Sequence, residues 1–113
     1  MTRGLAIFFV LLCTTMAACG SARRGEPIAG PIVLTTETAR HGQVVFMRNC
    51  YQCHPGGEAG LGPAINNKPL PQFLIRYQIR HGFGAMPAFT EDQLSSTDLT
   101  ALLEYLQALR RHG

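Results

Sequence analysis

The feature that most constrains this chain is a run of five residues at positions 50–54, CYQCH. Two thiols separated by two residues, with an imidazole directly after them, form the pattern typical of covalent haem attachment. Cys50 and Cys53 would then form thioethers with the two vinyl groups of the porphyrin. His54 would be held under the iron as an axial ligand. The motif therefore predicts an iron site that is built largely on one short segment.

The length and composition of the chain fit a small domain with a bound group. The 113 residues allow one such domain, and a domain of this size usually needs a disulfide, a metal or a cofactor for stability. The net charge is +3 without a long basic run, so nucleic acid is not an expected partner. Two of the four cysteines fall near the N-terminus and two in the motif, a placement that argues against two disulfides.

The N-terminal segment has the pattern of an export signal. Arg3 is followed by an apolar run at positions 5–12 and then by small residues, the order typical of secretory signals. The run is shorter than the roughly 20 residues of a membrane span. Its end, MAAC at positions 16–19, resembles the lipobox of bacterial lipoproteins, apart from Met16 where leucine is usual. The alternatives are ordinary cleavage near Ala18 or an uncleaved anchor.

From this pattern we predict a signal peptide over 1–18 and lipidation at Cys19. Acyl chains contribute about 0.8 kcal/mol per buried methylene, so they would hold the protein stably on the periplasmic side of a bacterial membrane. Positions 20–34 contain five glycine and proline residues, which discourage regular structure. We therefore expect a flexible, lipid-anchored tether over 19–34 and a folded domain over 35–113.

Three helices are predicted in the domain. The first begins near Thr36, with Thr35 or Thr36 as its cap, and leads into Cys50. The second begins at Pro69 or Pro71 and ends at Gly82. The third begins after Ser95 or Ser96 and carries a leucine stripe with helical spacing, at positions 99, 102, 103, 106 and 109.

The spacing of individual side chains adds detail to these helices. Gly42, Phe46 and Cys50 recur every four residues and share one face of the first helix. Gly42 there suggests a close backbone crossing with Tyr105 of the last helix. The second helix carries an apolar stripe that is either ordinary core or haem-contacting surface: Leu70, Phe73, Leu74 and Tyr77.

A second iron ligand is expected in the loop at positions 82–89, GFGAMPAF. Met86 stands among glycine and proline, away from any helical apolar stripe, and its thioether is a soft ligand for haem iron. Met47, the other methionine beyond the signal segment, lies too close to the motif to reach the opposite face of the iron. Met86 is therefore the predicted distal ligand. A packing role for Met86, or His81 as the distal ligand, are the alternatives.

Taken in order, CYQCH, the GPAI loop, GAMPAF and a last helix with Tyr105 resemble class I cytochrome c, a family of small mono-haem electron carriers. The resemblance covers roughly Thr36 to Arg111. It implies an all-α fold whose N- and C-terminal helices cross, with three to five helices around one covalent haem c. It also implies that a backbone carbonyl near Pro63 accepts the His54 ring N–H.

The same resemblance implies the function and the partners. The protein would transfer electrons between redox proteins in a respiratory or dehydrogenase-linked chain, with a dehydrogenase or a terminal oxidase as a partner, and would not itself be an enzyme. Basic side chains on segments near the haem would either pair with a propionate or simply be solvated: Arg48, Lys68, Arg76 and Arg80.

Three other classes of site remain as alternatives. A thiol–disulfide redox protein would also use the CxxC pair, but such a pair normally lies beside a strand–helix unit, and no convincing strand pattern is present. A zinc site would need two more ligands at matched spacing, and His41, His81 and His112 are scattered. A haem enzyme or gas sensor would keep an open iron position, against which the Met86 loop argues.

Overall fold

The computed structural model describes residues 30–66 and 68–111. It contains helix α1 (Glu37–Asn49), a single 3-10 turn (Pro55–Gly57), helix α2 (Gln72–His81) and helix α3 (Ser96–Arg110). These residues form no β-strand, which confirms the prediction of an all-α fold. None of these helices has the length and apolarity that crossing a bilayer requires. The predicted signal peptide and Cys19 lie outside the described residues.

The three helices begin and end at residues suited to those positions. Thr36 and Ser95 cap α1 and α3, where each side-chain oxygen accepts a backbone N–H three residues later, at 3.0 and 3.1 Å. Caps of this kind are each worth about 1 kcal/mol. Pro71 precedes α2, and Gly82 ends it with a φ of 70°, a left-handed conformation that glycine adopts without strain.

The N- and C-terminal helices cross closely, as predicted. A Cβ at Gly42 of α1 would overlap the carbonyl oxygen of Ala101 on α3 and lie 2.9 Å from the Tyr105 Cβ. One turn further along α1, the Phe46 ring packs against Tyr105 with ring centroids 5.2 Å apart and planes inclined by 52°. The absence of a side chain at Gly42 therefore allows the two backbones to meet and brings the aromatic pair together.

The core lies mainly between α1 and α3, with contributions from α2 and the segment before α3. The predicted leucine stripe of α3 faces this core, although Leu106 is only partly buried. Ile32 and Leu34, placed by the sequence analysis in the tether, also pack against it, so the packed chain reaches back to Ile32. The buried cluster consists of Val45, Phe46, Ile79, Leu94, Leu99, Leu102, Leu103, Tyr105 and Leu109.

Candidate haem site

The CYQCH motif forms a tight turn directly after α1. The Cys50 N–H still donates to the Phe46 carbonyl at 2.8 Å, so Cys50 continues the helix by one residue. The Cys53 and His54 N–H groups then both donate to the Cys50 carbonyl, at 3.1 and 2.9 Å. Cys50 and Cys53 are both free, partly exposed thiols. The turn therefore presents two thiols and one imidazole from a single bend of the backbone.

His54 is held in a fixed orientation by the loop that follows it. The residue is 9% exposed, and its Nδ1 lies 2.8 Å from the carbonyl oxygen of Pro63. Because a carbonyl oxygen only accepts hydrogen bonds, Nδ1 carries the proton in this pair, and Nε2 keeps its lone pair for a metal. The carbonyl partner expected near Pro63 is thus present.

The loop approaches the imidazole closely because it contains glycine. A Cβ at Gly62 would lie 2.9 Å from Nδ1 and 3.0 Å from Nε2 of His54, and nearer still to the carbon between them. The Gly62 N–H donates to the Cys53 carbonyl at 2.9 Å, which ties the loop back to the motif. Gly62 is the first residue of the GPAI loop named in the resemblance, but its contact with the His54 ring was not predicted from the sequence.

Met86 lies in a short turn between α2 and α3. Phe83 and Met86 exchange two backbone hydrogen bonds of 3.0 Å across a turn in which Gly84 has a φ of 58°. A Cβ at Gly82 would come within 2.6 Å of the Met86 carbonyl oxygen, so this glycine also permits a close approach. The Met86 side chain is partly buried against the core, whereas Met47 on α1 is half exposed. Of the two, Met86 is the one held in a defined loop.

Several large apolar side chains lie outside the protein core. The apolar stripe predicted for the second helix, which begins at Leu70, is exposed by 38–68%. The interpretation of this stripe as ordinary core is therefore wrong. Exposed apolar side chains are compatible with the haem-contacting interpretation, since a bound group could cover them. The group comprises Leu61, Leu70, Phe73, Leu74, Tyr77 and Phe83. Free thiols, an oriented imidazole, a thioether and apolar surface are together the groups that a haem c requires.

The electrostatics of the thiols disfavour the thiol–disulfide alternative. Burial, and secondarily the nearby Cys53, raise the pKa of Cys50 to about 11. Thiol–disulfide exchange needs a thiolate, and redox-active CxxC pairs have a lowered pKa. Zinc finds no support either, since residues 30–66 and 68–111 hold no cluster of three or more His, Cys, Asp or Glu suited to a metal ion. His41 and His81 are exposed. His112 lies outside the described residues.

Three of the four basic side chains considered for propionate pairing contact other groups of the protein. Arg76 donates to the Thr100 hydroxyl at 3.1 Å, and Arg48 lies 3.8 Å from a carboxylate oxygen of Asp98. Arg80 donates to two backbone carbonyls of the segment before α3. Its structural role was missed from the sequence, where it is simply one of several basic residues.

Comparison with known proteins agrees with this site. The family model for cytochrome C oxidase, cbb3-type, subunit III matches residues 37–106. The 4-cresol dehydrogenase [hydroxylating] cytochrome c subunit of Pseudomonas putida is 37% identical over 60% of this chain and 59% of its own length. Chloroplastic cytochrome c6 of Chlamydomonas reinhardtii is 33% identical over 79% of this chain and 77% of its own. The chain thus spans less than two thirds of the first of these relatives and more than two thirds of the second.

The family match runs from the first residue of α1 into the last turns of α3, so it includes the CYQCH motif and the Met86 loop. The sequence contains one CxxCH motif, and its cofactor is therefore a single covalent haem c. The crossed helices, the carbonyl-bound histidine and the family match lead to one assignment: the chain belongs to the cytochrome c family, whose members transfer electrons.

Proposed function

We propose that the protein is a lipid-anchored electron carrier whose haem iron is bound by His54 and Met86, with Cys50 and Cys53 as the thioether sites. The observation that carries this proposal is the buried His54 ring, whose Nδ1 is committed to the Pro63 carbonyl at 2.8 Å. A bound haem would supply an iron that gains or loses one electron. Histidine–methionine ligation raises the reduction potential of such an iron.

The surrounding residues favour a carrier over a catalyst. His54 is fixed by its hydrogen bond and by the close approach of Gly62, and Met86 lies in a turn closed by two backbone hydrogen bonds. With a haem bound, His54 and Met86 would hold its iron and would leave no open site for a substrate. Because neither ligand needs to move, little rearranges when the oxidation state changes, and we propose no enzymatic chemistry for this chain.

The partners that we propose are a dehydrogenase as donor and a terminal oxidase as acceptor. The similarity to a cytochrome subunit of a dehydrogenase and to a cbb3-type oxidase subunit supports this pairing. Charge does not identify the partner. Removal of positions 1–18 takes away one of the 10 basic residues and none of the 7 acidic ones, so the mature chain has 9 − 7 = +2. Two ionised propionates would bring that value near zero.

A comparison of two variants tests the ligands. Holoprotein from a strain that matures c-type cytochromes should retain its haem during acid–acetone extraction. Its oxidised form should show the thioether-to-iron charge-transfer band. Met86→Ala should abolish the band, whereas the matched control Met47→Ala should keep it. Extractable haem would exclude covalent attachment, and a band that survives in Met86→Ala would exclude Met86 as the ligand.

A second comparison tests the anchor and the export that we propose with it. Cys19→Ala should move the protein out of the membrane fraction, because no acylated cysteine then remains. Cys13→Ala removes a cysteine from the predicted signal peptide and should leave membrane attachment unchanged. If Cys19→Ala stays on the membrane after high-salt washing, an uncleaved N-terminal segment is the better account.

A further inference from the structure

Arg80 makes an unusual set of contacts for a residue near the end of a short helix. Its side chain is only 20% exposed. One guanidinium nitrogen donates to the backbone carbonyls of Phe89 and Leu94, at 3.0 and 2.7 Å. The other donates to the Glu91 carboxylate at 2.7 Å. A single side chain of α2 therefore holds three points of the segment that joins the Met86 turn to α3.

The held segment begins three residues after the proposed distal ligand. Only Pro87 and Ala88 separate Met86 from Phe89, and the Phe89 N–H donates to the Ile79 carbonyl at 2.9 Å. On its other side, the Met86 turn begins at Gly82, which ends α2. The turn that carries Met86 is thus attached to the C-terminal end of α2 on both sides, through Gly82 before it and Phe89 after it.

Glu91 extends this attachment to α3. Its carboxylate accepts the Ser96 N–H at 2.7 Å and the Ser96 hydroxyl at 3.0 Å, in addition to the Arg80 guanidinium. Leu94, whose carbonyl binds Arg80, is fully buried in the core. Hydrogen bonds to charged groups are stronger than those between neutral groups, and the planar guanidinium fork makes them in a fixed geometry. The segment is therefore pinned between two helices.

We propose that Arg80 is a positioning residue for Met86: by fixing residues 89–94 to α2, it keeps the thioether where it binds haem iron. The inference rests on the proposed role of Met86 as distal ligand. A ligand held in its binding-competent position competes better with external ligands, because apparent affinity scales with the fraction of time spent in that position. Loss of Arg80 should loosen the turn and let an added ligand displace Met86 more easily.

Imidazole binding to the oxidised holoprotein measures this competition. We expect Arg80→Gln to raise the apparent affinity for imidazole at least tenfold, read from the shift of the main haem absorption band. Arg76→Gln is the matched control, since it removes the same charge from the same helix and breaks a bond to Thr100 of α3, but leaves the three hydrogen bonds of Arg80 in place. Thr36→Ala weakens the cap of α1 and controls for general destabilisation. Both controls should remain within twofold of wild type.

Two results would overturn the inference. One is an imidazole affinity within twofold of wild type in Arg80→Gln, and the other is an equal rise in Thr36→Ala. If Arg80→Gln gives no holoprotein, Arg80→Lys is judged by the same criteria, because lysine keeps the charge and loses the planar fork. Met86→Ala separates this inference from the proposed function. If that variant binds imidazole no better than wild type, the ligand assignment itself fails. If it binds better while Arg80→Gln does not, only the inference fails.

Discussion

Among single residues, the site depends on the side chain of His54 and on the absence of a side chain at Gly62. His54 is oriented by one hydrogen bond to the Pro63 carbonyl. Gly62 allows the backbone to lie against the ring that makes this bond. Such partners fix which ring nitrogen faces a metal, and their loss typically costs 10- to 100-fold in metal affinity or activity in metal sites. The site therefore requires a glycine at position 62 as well as the histidine at position 54.

The first prediction concerns Gly62→Ala. The added methyl group would overlap the His54 ring, so either the ring or the loop must move and the bond to Pro63 must weaken. We expect a holoprotein whose imidazole titration or visible spectrum shows a weakened His54 ligand, or a low yield of holoprotein. Gly30→Ala is the control, because a Cβ there meets no atom within 4 Å. An unchanged spectrum and yield in Gly62→Ala would contradict the geometry described for the imidazole.

At this scale, a site is predictable from sequence where its chemistry has a compact pattern. The CYQCH motif brought the thiols and the imidazole together because five consecutive residues specify them. Arg80 was not identified, because its partners are backbone carbonyls 9 and 14 residues away. Any residue type supplies a carbonyl, so no sequence pattern marks such a contact.

At the level of helices, the crossing of α1 and α3 fixes the position of α1, and the CYQCH motif directly follows α1. Gly42 lets the two backbones touch, and Phe46, one turn later, packs on Tyr105. The helix caps were predictable, since threonine and serine before an amphipathic run satisfy orphan N–H groups. The sequence did not predict which of two neighbouring residues caps each helix. Each pair consists of two identical residues, Thr35 and Thr36 or Ser95 and Ser96, so only their tertiary surroundings distinguish them.

The second prediction concerns Gly42→Ala. In an open helix this change would stabilise by up to about 1 kcal/mol, since alanine has the better helix propensity. Here the methyl group would overlap the Ala101 carbonyl oxygen. Overpacking of this kind typically costs about 1–3 kcal/mol, so we expect a net loss of unfolding free energy in urea titrations of the holoprotein. A variant as stable as wild type, or more stable, would show that the helices do not cross at Gly42.

The third prediction concerns the pH dependence of the same crossing. The pKa of Asp98 on α3 is lowered from its usual 3.8, first by its hydrogen bond with His41 of α1 and also by Ser95 and Arg48. Because the pKa is lower in the folded state, the resulting stability is present above pH 3.8 and is lost as the pH falls through the folded value.

When the pH is lowered from about 6 to about 3, the unfolding free energy of Asp98→Asn should therefore fall by less than that of wild type. Asp92→Asn is the control, because it removes the charge of an exposed aspartate and leaves the contact between His41 and Asp98 in place. Some acid sensitivity should remain in both variants, since hydrogen bonds from Ser96, and secondarily Arg80 and Arg76, also lower the pKa of Glu91. Equal slopes for Asp98→Asn and wild type would argue against the contact between His41 and Asp98.

At the scale of the whole molecule, the protein part leaves a large amount of apolar surface uncovered. Its core is a single cluster between α1 and α3, with part of α2, while Leu61, Phe73 and Phe83 are exposed by 89, 68 and 80%. The sequence predicted helical stripes but could not say which stripe faces protein and which faces a cofactor, because both require apolar residues. In a domain this small, a covalent haem packed on such side chains would supply the missing part of the core.

As a member of a family of electron carriers with one haem motif, this chain carries one electron on a covalently held haem. A redox titration of purified holoprotein, followed by absorption, tests it directly. We predict a single reversible transition with the one-electron slope, 59 mV for each tenfold change in the ratio of oxidised to reduced protein. The thioether-to-iron band should vanish on reduction and return on oxidation. Haem absorption that does not change with potential, together with thiols at Cys50 and Cys53 that become open to alkylation along a two-electron slope near 30 mV, would identify a thiol–disulfide couple instead.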